Sequence, residues 1–249
     1  MVGYRIFVVN DHAAHANSFG PAADIYERGR PGYPGAALDW LLPAGRPRVL
    51  DLGAGTGKLT RQIHDRGLPV TAVEPSEGML AQLAVAVPGV PARQGSAEQI
   101  PLPAGSADAV LVAQAWHWVD PSRAVPEIAR VLSPGGRLGL IWNLRDESHP
   151  WVRRLGEIIG NQERERDTTV GAPFGPVEMA HFAWSVTIGP ERLIDLVASR
   201  SAVILMPPDE RAALLNEVRK LIATHPDLVG RTEFAMPYIT ECARATLPA

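Results

Sequence analysis

Three glycines at positions 53, 55 and 57 follow the apolar run Val49-Leu50-Asp51-Leu52 and precede a helix-forming stretch that begins at Lys58. A glycine turn between strand and helix lets a ligand reach the backbone where a side chain would collide with it. The helix that follows offers unpaired N–H groups and a partial positive charge at its start. Several ligands use this device, and spacing separates them. Dinucleotide folds need G-x-G-x-x-G, and P-loops need G-x-x-x-x-G-K followed by Ser or Thr. Here the pattern is G-x-G-x-G, Lys58 is followed by Leu59, and Leu52 stands where the first P-loop glycine belongs. Both phosphate readings fail on those details. Glu74, 23 residues after Asp51 and at the end of a second apolar run, can accept hydrogen bonds from both hydroxyls of a ribose. The two signals together ask for a nucleoside without a pyrophosphate.

Such residues need elements to hold them. Arg48 to Leu52 reads as a buried strand, Lys58 to Arg66 as a helix stopped by Gly67, and Pro69 to Glu74 as a second strand. Ser76 is the expected N-cap of a helix carrying Met79, Leu80 and Leu83. A short segment, Val90 to Gln94, leads to the strand Ala107–Ala113, the helix Pro121–Leu132, the turn Ser133-Pro134-Gly135-Gly136 and a fifth strand, Arg137–Trp142. This alternation predicts an α/β fold: a Rossmann-like, doubly wound, mostly parallel seven-stranded sheet with helices on both faces. Ligands of such sheets sit at the carboxyl ends of the strands. The glycine run, Glu74, Ser96 and Gln114 to Trp118 all fall just after strands, so they should gather along one edge.

Outside this region the pattern is looser. Residues 1–20 read as a flexible arm, and residues 21–47 as a helical flap with a short helix, Ala22–Arg30, broken by Arg30-Pro31-Gly32-Tyr33-Pro34 and followed by a second, Ala36–Leu42. Residues 48–143 form the expected cofactor core. Within 144–249, Trp151–Arg166, Pro190–Ser199 and Asp209–Thr224 read as helices, and Phe182–Ile188 and Thr232–Ile239 as strands. The charged end Glu163-Arg164-Glu165-Arg166 reads as a solvated helix face. The whole chain, 1–249, is expected to be one domain, with 190–224 as a helical lid or insertion facing the substrate.

An adenosyl group carrying a short zwitterionic amino acid meets the requirements of the glycine run and Glu74. Val49-Leu50-Asp51-Leu52-Gly53-Ala54-Gly55-Thr56-Gly57 resembles the first motif of class I S-adenosylmethionine-dependent methyltransferases, and Ala72-Val73-Glu74-Pro75-Ser76 with Met79 the second. Gly95-Ser96-Ala97-Glu98 is similar to their adenine-side loop, and Leu132 to Arg137 to the turn before their fifth strand. Ser18-Phe19-Gly20 and Tyr26-x-x-x-Arg30-Pro31-x-Tyr33-Pro34 further resemble the type 11, small-molecule subgroup that includes relatives of trans-aconitate methyltransferase. The resemblance implies that Asp51, Gly53, Ala54 and Gly55 line the methionine half of the cofactor. It places Glu74 on the ribose and Pro75 with Met79 beside the adenine. Ser96, where the family often has Asp, would meet the adenine amino group; Ala97 and Glu98 complete that loop, and Gln114 with Ala115 closes the site beside the sulfonium. Tyr26, Arg30 and Tyr33 would form a flap, with the Arg30 fork on the methionine carboxylate. No metal is expected.

Trp116-His117-Trp118 follows the fourth strand, where substrate-facing residues belong. It is either an aromatic wall with His117 as base or two core tryptophans and a structurally satisfied histidine. Trp116, His117 and Tyr33 are the catalytic candidates. The acceptor expected is a small molecule. A net charge of -3 argues against a general nucleic-acid partner, and the lone Cys242 rules out a disulfide within the chain. No apolar stretch reaches membrane-spanning length, and the expected location is the cytoplasm. Two other readings stand beside the enzyme: a catalytically inactive binder of the same cofactor acting as sensor or partner subunit, and, disfavoured by glycine spacing, an NAD-dependent oxidoreductase.

Overall fold

Alternate residues of the central strands face opposite ways, and the chain covers each side with its own helices. The computed structural model describes residues 29–160, 168 and 170–249. The expected arm 1–20, most of the helix 22–30, Tyr26 and the charge run Glu163–Arg166 lie outside the described residues.

Helix α1 (Gly35–Leu41) precedes β1 (Val49–Leu52), α2 (Lys58–Asp65), β2 (Val70–Glu74), α3 (Glu77–Ala86), β3 (Ala92–Gln94) and β4 (Ala107–Ala113). A 3-10 turn over Trp116–Trp118 leads to α4 (Pro121–Val131) and β5 (Leu132–Arg145). Next come α5 (Pro150–Ile159), β6 (Glu178–Ile188), α6 (Pro190–Ala198), α7 (Ser201–Ile204), α8 (Pro208–Thr224) and β7 (Phe234–Thr246). The strand order is β3-β2-β1-β4-β5-β7-β6. The first five strands are parallel, and β7 runs antiparallel to both β5 and β6. The seven-stranded, mostly parallel, Rossmann-like sheet expected from the alternation is the observed one.

Leu50, Leu52, Val110, Val112, Leu138 and Leu140 point into one core cluster with Val125 and Ile128 of α4. Val49, Ala109, Leu111 and Ile141 point the other way, onto Leu38 and Leu41 of α1 and Leu59 and Ile63 of α2. A third cluster joins Trp151 and Leu155 of α5, Leu193 and Val197 of α6, and Val218 and Leu221 of α8 to Met236 and Tyr238 of β7. Helices thus lie on both faces, with a helical cap over the β7 side.

The expected boundaries shift at several places. The turn Ser133–Gly136 is absorbed into β5, where the register with β4 jumps from Ala107↔Leu132 to Ala109↔Arg137, a bulge. β6 begins four residues earlier than Phe182 because it pairs with β7 from Glu178 on, and β7 runs to Thr246 rather than Ile239 because it pairs with β6 to Arg244 and with β5 to Thr246. Cys242 is fully buried between them and α1.

Candidate active site

The glycine run leaves β1 with its backbone anchored to the next strand: the Gly53 and Ala54 N–H groups both donate to the Val73 carbonyl, at 2.8 and 3.1 Å. Gly53, Gly55 and Gly57 have φ of 73, 57 and 89°, the left-handed region that residues with a Cβ avoid. A Cβ on Gly57 would also come within 2.9 Å of Leu83 on α3. The sharp turn therefore depends on glycine, and it directs the loop over the carboxyl ends of β1 and β2.

Glu74 ends β2 beneath that loop. One carboxylate oxygen accepts from the Gly55 N–H (2.9 Å) and the other from the Ser76 N–H (3.0 Å). The side chain is fixed in direction while each oxygen keeps capacity for a further donor. It is 6% exposed, and burial raises its pKa against those two hydrogen bonds. Ser76 caps α3 as expected, its hydroxyl accepting from the Met79 N–H at 3.4 Å. Pro75 is exposed and Met79 buried on either side of this cap.

Asp51, at the core of the same edge, is fully buried. The Thr60 hydroxyl donates to Oδ2 at 2.6 Å, and Oδ1 is buried with no hydrogen-bond partner. Burial, assisted by the Glu74 charge, raises its carboxyl to about 7 against the Thr60 bond. A buried carboxylate oxygen left open is costly unless something else donates to it.

Beyond β3, Ser96 is half-buried and pairs with Gln99 in a short bridge, Ala97 is buried, and Glu98 accepts from the Asp120 N–H at 2.9 Å. Glu98 therefore ties the loop after β3 to the start of α4. Gln114 follows β4 with φ 57°, the one positive-φ residue other than glycine among the described residues. Its side chain donates to the Asn143 carbonyl at 3.3 Å, and Ala115 lies where a Cβ on Gly53 would touch it, at 3.0 Å. Backbone strain of this kind at the end of a strand marks a place where geometry outranks comfort. Of the three aromatic residues that follow, Trp116 is 3% exposed inside the core cluster, with its Nε1 lacking a partner. His117 is exposed and Trp118 half-buried, their rings 4.6 Å apart.

The flap is held by residues that the sequence did not single out. Gln62 of α2 accepts from the Tyr33 N–H (2.8 Å) and donates to the Tyr33 carbonyl (2.7 Å). Asn143, on β5, donates to the Gly32 carbonyl at 2.7 Å. Asn143 in turn accepts from the Thr240 hydroxyl (2.6 Å), which accepts from Trp184 Nε1 (2.7 Å). A lone Gln or Asn carries no sequence signal for such a clamp; only the meeting of three separate segments reveals it. Arg30 turns from the flap to the C-terminal end of α6, donating to Ser199 at 3.1 Å. There it influences the buried phenol of Tyr238, which burial pushes up to about 12 against the pull of Arg30, Arg145 and Arg192.

The structure thus brings Asp51, the glycine run, Glu74, Met79, Ser96, Ala97, Gln114 and Ala115 to one edge of the sheet; Tyr33 is tied instead to Gln62 of α2, and Arg30, expected on the methionine carboxylate, to Ser199. A methyltransferase-domain family model matches residues 50–140. The chain is 57% identical over 232 residues to an uncharacterized methyltransferase of Mycobacterium tuberculosis, spanning 92% of this chain and 96% of that protein. It is 34% identical over 229 residues to a methyltransferase-like protein of Schizosaccharomyces pombe, spanning 86% and 90%. A solved structure from Anaeromyxobacter dehalogenans, provisionally assigned as a type II methyltransferase, aligns with TM-score 0.64 and 26% identity over 88% of this chain and 99% of its own. The fold also matches phosphoethanolamine N-methyltransferase 2 of Haemonchus contortus, solved with S-adenosylhomocysteine, at TM-score 0.55 and 18% identity over 100% of this chain and 61% of that one. The chain belongs to the class I S-adenosylmethionine-dependent methyltransferases, in the type 11 group.

Proposed function

We propose that this protein transfers a methyl group from S-adenosylmethionine to a small-molecule acceptor at the carboxyl edge of β1, β2, β4 and β5. The observation that carries this reading is the pairing of a Glu74 carboxylate, fixed by the Gly55 and Ser76 N–H groups, with a left-handed glycine turn directly above it. The residues fit the group: the open Asp51 Oδ1 awaits a donor, and Gly53 and Gly55 leave the backbone bare. Glu74 would accept from the ribose hydroxyls, Pro75 and Met79 would flank the adenine, and Ser96, Ala97 and Glu98 would border its polar edge. Asp51, Gly53, Ala54 and Gly55 would hold the amino-acid half, with Gln114 and Ala115 beside the sulfur, and Tyr26 and Arg30 closing the flap. Bound there, S-adenosylmethionine supplies an electrophilic methyl on a cationic sulfur, open to in-line displacement.

The chain's own task is then to align the acceptor and exclude water, and positioning of this sort can contribute up to roughly 7–11 kcal/mol. The Gln62 and Asn143 clamps on Tyr33 and Gly32 hold the flap in place for that purpose. Where the acceptor must lose a proton, exposed His117 is the candidate base, with Trp116 and Tyr33 as walls. Calorimetry with S-adenosylmethionine, followed by detection of S-adenosylhomocysteine release over a metabolite panel, tests the reading. No cofactor binding would remove it, and binding without release on any acceptor would leave a sensor.

A further inference from the structure

Two side-chain amides grip the flap from separate elements, and the groups behind them set which way each amide faces. Gln62 reaches it from α2, accepting from the Tyr33 N–H and donating to the Tyr33 carbonyl, so its amide fits in one sense only. Gly32 packs against it so closely that a Cβ there would come within 2.7 Å of Gln62 Oε1. Asn143 reaches the flap from β5, donating to the Gly32 carbonyl at 2.7 Å. An asparagine amide can turn over and exchange its donor for its acceptor, so surrounding bonds must fix it. Thr240, the β7 residue opposite Asn143, does so.

Thr240 is fully buried. Its hydroxyl oxygen accepts from the Trp184 indole N–H at 2.7 Å, and an indole can only donate. The single hydroxyl proton therefore goes to Asn143 Oδ1, 2.6 Å away, which leaves the Asn143 NH2 facing Gly32. Trp184 is held in turn by the Tyr238 ring, stacked with centroids 5.4 Å apart. A directed chain of three hydrogen bonds thus runs from the edge strand β6 through β7 and β5 to the flap. The segment it holds joins α2, which starts at the glycine run, to β5, where the Asn143 backbone carbonyl accepts from Gln114 at 3.3 Å.

We infer that Trp184 and Thr240 are positioning residues for methyl transfer: they set the Asn143 amide so that the flap stands in one arrangement beside the cofactor edge. This rests on the methyl-transfer reading of that edge. Both residues act through Asn143 and not on the cofactor. A wall already held in place spares the ligand the cost of ordering it on binding. Loss of the Thr240 hydroxyl would strand a donor on Trp184 and an acceptor on Asn143, and free the amide to turn.

The test uses the full-length protein with Thr240→Val, which keeps the shape and removes the hydroxyl, and Thr240→Ser, which keeps the hydroxyl. Trp184→Phe removes the indole N–H and keeps an aromatic ring. The readouts are hydrogen exchange of the Tyr33 amide, by mass spectrometry, and calorimetric affinity for S-adenosylhomocysteine. In Thr240→Val the Tyr33 amide should exchange about tenfold faster, the weight of roughly one net hydrogen bond in a local opening. S-adenosylhomocysteine should bind at least about threefold more weakly, a part of the same loss. Thr240→Ser should return both readouts to near the parent, and Trp184→Phe should lie between. Leu155→Ala, in the cap, controls for general destabilisation: it should lower the melting temperature and leave both readouts unchanged. Parent-like Tyr33 exchange in Thr240→Val or Trp184→Phe, no recovery in Thr240→Ser, or equal acceleration in Leu155→Ala would overturn the relay. A released flap with undiminished S-adenosylhomocysteine affinity would overturn its part in the site. Failure of the parent to bind S-adenosylhomocysteine would instead overturn the methyl-transfer reading, so the failures are distinct.

Discussion

Two carboxyls, Asp51 and Glu74, stand at neighbouring strand ends; both are raised chiefly by burial, and the Glu74 charge adds to the rise at Asp51. The folded protein therefore holds protons that the unfolded chain has already released. For Asp51 the interval runs from about 4, the ordinary aspartate value, to about 7. A carboxyl raised in the fold contributes stability that is present at low pH and lost as pH rises through its folded value. Cofactor-free protein should thus lose stability between pH 5 and pH 8, and Asp51→Asn should flatten that slope. Urea unfolding at the two pH values measures it; an identical slope in both proteins would remove the assignment. Glu74 has the other role. Glu74→Ala should weaken S-adenosylmethionine binding by about 1.5–3 kcal/mol, the range for hydrogen bonds to a charged group, whereas His117→Ala should lower turnover with little change in cofactor affinity. Unchanged calorimetric affinity in the Glu74 variant would sink its ribose assignment.

At the scale of elements, the loop after β1 and the flap before α1 depend on different kinds of residue. The loop needs left-handed backbone, so Gly57→Ala should cost about 1–2 kcal/mol from conformation alone, and its Cβ would also crowd Leu83. A thermal melt unchanged from the parent would contradict this. The flap depends on the side-chain amides of Gln62 and Asn143 gripping the Tyr33 and Gly32 backbone. Gln62→Ala should leave the melting temperature nearly intact but speed proteolytic cleavage near residues 30–34, since the loss falls on a local opening. The glycine loop was legible in the sequence because its spacing is a local conformational demand. The flap clamp was not, because Gln62 and Asn143 acquire meaning only when α2 and β5 meet the N-terminal segment.

For the whole molecule, the sheet divides its support among clusters on its two faces and a cap over β7. Leu155 of α5 is fully buried in that cap. Leu155→Ala should cost about 2–5 kcal/mol, the usual range for a leucine truncated in a packed core, readable by chemical denaturation. Equal stability of parent and variant would mean that the cap is not part of the cooperative unit. No helix among the described residues is long and apolar enough to cross a membrane.

The local order of strand, glycine turn, helix and acidic strand end determined the parallel half of the sheet and pointed to the proposed cofactor edge, because each signal acts within a few residues. The ends of β6 and β7 and the bulge in β5 were settled only by pairing between strands distant in the chain. So was the clamp on the flap, since the Gln62 and Asn143 amides reach the Tyr33 and Gly32 backbone only when α2 and β5 fold against the N-terminal segment.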